Sequence, residues 1–106
     1  MKIFKIFIVI LLFSFSLTIN LQADSEKMAL GLEVYNNKAM CGTCHILKES
    51  GSTGNIGPNL DLLKPPLERI IYVVSNGIGV MQAWEGILTK EEIEAVAYYV
   101  FNSTNK

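Results

Sequence analysis

Both cysteines and the sole histidine of this 106-residue chain fall within five consecutive positions, Cys41-Gly42-Thr43-Cys44-His45. A chain with one His cannot form a catalytic His pair, a His-rich zinc site or any centre held by two imidazoles. Two Cys are too few for a disulfide-framework mini-protein, which normally carries four or more. A zinc centre would have Cys41, Cys44 and His45 but no further Cys or His for the usual fourth ligand. The length allows a single domain. Nine basic residues against ten acidic, with an isoelectric point near 5.8, exclude a protein that grips nucleic acid through phosphate contacts.

The hydrophobic residues are unevenly spread. Residues 1–23 hold four of the five Phe, and Lys2 and Lys5 supply a positive start. Ile6 to Leu17 is apolar apart from Ser14 and Ser16, and Leu21-Gln22-Ala23 ends on a small residue. This is the order of a secretory signal peptide, so the expected division is a signal peptide over 1–23 and one domain over 24–106. The apolar stretch is shorter than the roughly 20 residues a spanning helix needs, which favours cleavage over a retained membrane anchor. The mature chain then has seven basic and ten acidic residues, a formal charge of −3. Export implies a periplasmic location and an oxidising compartment for both Cys.

In that setting the five-residue run has a specific chemistry. Two thiols three positions apart can add to the two vinyl groups on one edge of a haem, and the adjacent His can donate a ring nitrogen to the iron. Cys-x-x-Cys-His is the attachment signature of c-type haem, with Cys41 and Cys44 as thioethers and His45 as an axial ligand. A thioredoxin-like dithiol would need a βαβ setting that the chain lacks, and a plain disulfide leaves His45 unexplained.

With no second His, the sixth iron ligand is expected to be a Met. Met40 is tied to the attachment segment, and Met28 lies in a helical pattern where core packing is its expected role. Met81 follows Asn76-Gly77-Ile78-Gly79-Val80, a Gly-rich stretch that reads as loop and can carry a thioether around a haem. His45 and Met81 are therefore the expected axial pair.

The rest of the mature chain reads as helices, with no strand pattern and no repeat. Ser25 to about Asn37 spaces Met28, Ala29, Leu32 and Tyr35 near 3.6 residues. Leu67 to Ser75 starts after Pro65-Pro66 and stops before Asn76-Gly77, with Leu67, Ile70, Ile71 and Val74 on one face. Thr89-Lys90-Glu91-Glu92 is a capping box opening a helix whose Ile93, Val96, Ala97, Val100 and Phe101 recur at helical spacing. Ser50 to Asn59, rich in Gly and Ser, reads as loop.

On these residues, in this order, the mature chain resembles the class I monohaem c-type cytochromes over nearly all of its length. The resemblance implies an all-α cytochrome c fold with about three main helices wrapped around one covalently bound haem c. Gly57-Pro58-Asn59-Leu60 is similar to the family's Gly-Pro-x-Leu segment. There the Pro lies against the proximal His, and its carbonyl accepts the ring N–H. Gly31 and Tyr35 match the family's first-helix Gly and aromatic, and Tyr99 the last-helix aromatic; the Gly permits close approach of the two helices. Met81-x-Ala83-Trp84 is similar to the Met-Pro-x-aromatic element, which implies a haem-pocket contact for Trp84 as for Pro58. Gln82 stands where Pro is common, implying a less rigid Met loop.

Two axial ligands leave no vacant iron position, so the expected role is electron transfer and not catalysis. The expected partners are a redox-protein donor and acceptor, such as a dehydrogenase and a terminal oxidase or reductase, with no nucleic acid. No membrane is expected after cleavage. Two other roles keep the same site: haem subunit of a larger periplasmic oxidoreductase, for example a sulfur- or alcohol-oxidising dehydrogenase, and a ligand-binding or peroxidase-like haem protein.

Overall fold

A computed structural model describes Lys5 and residues 20–106. Helix α1 occupies 20–33 and runs directly into a π turn at Val34–Lys38. Two short strands follow, β1 (Ile46–Leu47) and β2 (Ser52–Thr53). The chain then forms the single turn α2 (Leu60–Leu63), α3 (Leu67–Asn76) and α4 (Lys90–Thr104). The all-α expectation holds: α1, α3 and α4 carry the fold, and α2 is one added turn. Among the described residues no helix is long and apolar enough to cross a membrane.

Helix α4 is the centre of the core. Thr89 caps its first turn by accepting from the Glu92 N–H, and the Glu92 carboxylate accepts from the Thr89 N–H at 3.0 Å. The capping box read from the sequence is therefore formed. Besides Ile93, Val96, Ala97 and Val100, the helix buries Ala95 and Tyr99 on a second side. It packs against α3, α2, β1 and the π turn.

The first helix buries only part of the face its spacing suggested: Tyr35 is in the core and Met28 packs against it. Ala29 and Leu32 are exposed, whereas Gly31, Val34 and Tyr35 are buried. Close crossing is the reason. A Cβ on Gly31 would lie 2.2 Å from the Ala95 carbonyl oxygen and 2.5 Å from Tyr99 Cβ, so only a bare backbone admits α4. The Tyr35 and Tyr99 rings meet beside this crossing with centroids 5.8 Å apart and planes tilted by 57°, a favourable aromatic geometry.

Two expectations are corrected. Strands do occur, pairing Ile46 with Thr53 and Leu47 with Ser52. Two-residue strands are too short to show alternation; side-chain hydroxyls hold this pair. The Leu47 N–H donates to Ser52 Oγ at 3.1 Å, and the hydroxyls of Ser52 and Tyr35 share a 2.9 Å bond. The loop expected over 50–59 thus holds β2. It is followed at once by α2, whose Asn59 side chain accepts from the N–H groups of Asp61 and Leu62, an N-cap.

Candidate haem site

The attachment segment begins where α1 ends. The Ala39 N–H reaches back to the Val34 carbonyl at 2.8 Å, a five-residue return that closes the π turn. Met40 then takes the left-handed conformation, φ 47° and ψ 47°, and turns the chain away from the helix axis. Cys41–Thr43 form a 3-10 turn in which the N–H groups of Cys44 and His45 both donate to the Cys41 carbonyl, at 3.1 and 3.0 Å. Both thiols and the imidazole are therefore carried on one compact turn. Burial pushes the Cys41 thiol up to about 11.

His45 is held from its Nδ1 side. Nδ1 and the Pro58 carbonyl oxygen are 2.8 Å apart; the ring N–H donates, which leaves the Nε2 lone pair for a metal. The Gly57 backbone lies against the same ring: a Cβ there would fall 2.6 Å from His45 Cε1. The Gly57 N–H donates to the Cys44 carbonyl at 2.7 Å and ties the two segments together. Asn59, absent from the sequence-based list of site residues, follows Pro58 and fixes its peptide through the α2 cap. The S/T/D/N preference at helix starts was the available signal, masked by the brevity of α2.

Met81 and Trp84 lie on a second segment. Met81 ends a two-residue turn: the Ile78 N–H donates to the Met81 carbonyl at 3.0 Å, and the Met81 N–H to the Ile78 carbonyl at 2.9 Å. Trp84 is half-buried, and its N–H donates to the Val74 carbonyl of α3 at 2.9 Å. Cys41, Met81 and Trp84 all pack against the same apolar core, which is what joins the two segments. Lys38, on the π turn, pairs with Glu92 at the start of α4. No sequence signal links positions so far apart.

These residues fit a haem. Large apolar side chains stand exposed on either side of Pro58, at Ile56, Leu62 and Leu63, and shortly before Met81, at Ile78 and Val80. Leu62 is 82% exposed and Val80 93%. An apolar macrocycle is the kind of surface such side chains cover.

The family model described as "Cytochrome C oxidase, cbb3-type, subunit III" matches residues 26–100. Chloroplastic cytochrome c6 of Chlamydomonas reinhardtii is 39% identical over 89 residues, 74% of this chain. The chain spans only 56% of that protein's length. Cytochrome c6 of Tetradesmus obliquus is 34% identical over 91 residues, covering 76% of this chain and 96% of the relative. Among solved structures, the c-type cytochrome SorU from Sinorhizobium meliloti superposes with a TM-score of 0.72 at 48% identity, covering 77% of this chain and 95% of its own. The Cys41 and Cys44 pair fits the family's attachment motif. The chain belongs to the class I monohaem c-type cytochromes, electron carriers built around one covalently bound haem c.

Proposed function

We propose that this protein is a periplasmic one-electron shuttle between two redox proteins. Cys41 and Cys44 would hold the haem as thioethers, and His45 and Met81 would supply the two protein ligands to its iron. Bound haem supplies a reversible ferric/ferrous couple. The carrying observation is the His45–Pro58 hydrogen bond, because it orients the ring, sets its tautomer and raises its basicity. Met81 opposes that push: a thioether is a weak donor that favours the ferrous state and raises the potential. Pro58 and Trp84 line the pocket and help exclude water. The proposed signal peptide, 1–23, lies outside the described residues except for Lys5 and its last four; the mature domain is 24–106.

The purified exported protein tests this directly. Its mass is expected to equal residues 24–106 plus one haem, and its ferric spectrum to show the weak far-red band of a Met–iron bond. Met81→Ala keeps the covalent haem, lowers the potential and admits imidazole to the iron. An unchanged potential in that variant means that another residue is the sixth ligand. A mass that includes residues 1–23 replaces cleavage with an N-terminal anchor.

One observation favours a second reading, a haem subunit of a larger periplasmic oxidoreductase. The matching family model is itself described as an oxidase subunit. Co-purification of the native protein with a second redox chain through gel filtration would select it over the free shuttle.

A further inference from the structure

Helix α3 ends in a carbonyl row that the Met81 segment closes twice. The Gly77 N–H donates to the Val73 carbonyl at 2.7 Å and completes the last helical turn. The next two carbonyls, Val74 and Ser75, have no helical partner. They accept instead from Trp84 at 2.9 Å and Glu85 at 3.3 Å. The chain thus leaves α3 at Gly77 and returns to the same helix end at Trp84. Met81 sits in the arch between, beyond the tight turn it makes with Ile78.

Gly77 is the point on which that arch folds back. Its φ of 75° and ψ of 169° lie in a region open essentially to Gly alone. A Cβ there would fall 2.6 Å from the Met81 carbonyl oxygen, 2.8 Å from the Ala83 nitrogen and 2.9 Å from the Gln82 carbonyl carbon. Two of these are the carbonyl groups of Met81 and of the residue after it, and all three are backbone atoms, which cannot swing aside as a side chain does. Gly79, in the same arch, also has a positive φ, 55°, yet a Cβ there meets nothing within 4 Å.

We propose that Gly77 is the positioning residue for Met81. Its bare backbone lets the arch close onto α3, and this closure, in place of a proline at position 82, sets how far the thioether reaches. The proposal rests on the reading of Met81 as an iron ligand.

The test uses the haem-loaded full chain, with imidazole as the probe of the ferric iron. Gly77→Ala is expected to bind imidazole about tenfold tighter or more, to lose the far-red band, and to lose hydrogen-exchange protection at the Trp84 amide. Gly79→Ala, also at a positive φ but in open space, is expected to stay within about twofold of the parent on imidazole binding. Equal effects of the two substitutions would overturn the proposal. Gln82→Pro provides a second arm that does not depend on the folding of Gly77→Ala. It is expected to leave imidazole binding within about threefold, because the arch is already held; a weakening of tenfold would show that position 82 limits Met81 and would also overturn it. Met81→Ala separates the two readings. If it binds imidazole no better than the parent, Met81 is not the ligand and both readings fall; if it binds much better while Gly77→Ala does not, only the Gly77 proposal falls.

Discussion

Lys38 and Glu92, 54 residues apart, form an ion pair that joins the π turn before the haem-attachment segment to the first turn of α4. Glu92 is buried apart from its edge and also closes the capping box with Thr89. The Lys38 ammonium beside it, and then the Thr89 N–H, hold its carboxyl below the usual range. Glu92 in turn raises the Lys38 ammonium above its ordinary value.

Stability follows in a defined pH window. A lowered Glu92 adds stability above the ordinary carboxylate range, lost as pH falls through the folded value; a raised Lys38 adds stability below the ordinary ammonium range, lost as pH rises through its folded value. Lys38→Met is therefore expected to lower the unfolding midpoint by a constant amount from about pH 5 to about pH 10. The difference should shrink at both ends, as read by thermal unfolding followed by circular dichroism.

The α1–α4 crossing tolerates no side chain at Gly31. Gly31→Val drives a Cβ toward the Ala95 carbonyl, which is backbone and cannot rotate away. The expected loss is about 3 kcal/mol, the upper end of the ordinary overpacking range. Denaturant unfolding of the haem-loaded variant measures it, and an unperturbed midpoint would mean that the helices can slide apart at little cost.

Asn59 couples a helix cap to the His45 acceptor. Asn59→Ala removes the acceptor for the Asp61 and Leu62 N–H groups, at a cost of about 1 kcal/mol. It also loosens the peptide whose carbonyl receives the His45 ring N–H, so the imidazole becomes a weaker donor. The reduction potential is expected to rise relative to the parent in a redox titration, in the direction opposite to Met81→Ala.

Removing the haem should leave Ile56, Leu62, Leu63, Ile78 and Val80 without cover. The double variant Cys41→Ala with Cys44→Ala is expected to be colourless and of bare polypeptide mass. Its unfolding midpoint should drop by roughly 10 °C or more, about 2 kcal/mol for a domain of this size. A double variant as stable as the parent would show that the chain needs neither the cross-link nor the cover.

Much of the molecule was legible in the order of residues because the signals involved are local. A capping box, a Pro-Pro helix start and an Asn-Gly stop each act within one turn of chain, and α3 and α4 follow them closely. The strand pair was not legible, since two residues carry no alternation and part of its support comes from Tyr35, on the π turn that precedes the attachment segment. On α1 the spacing placed Met28 and Tyr35 correctly but not Ala29 and Leu32, because apolar spacing cannot reveal a glycine as the point of contact; the family resemblance, and not the spacing, pointed to Gly31.

What the sequence determined by itself was the chemistry: two thiols and an imidazole in five positions, with one His in the whole chain, specify a covalent haem and make one ring-nitrogen donor available beside it. What only the tertiary structure decided was how those donors are held. The Pro58 carbonyl at His45, the Lys38–Glu92 pair and the closure of the Met81 arch on α3 all join residues distant in the chain. A spacing rule reports which groups are available. Ring tautomer, donor strength and the reach of a thioether depend on contacts that exist only once the helices are packed.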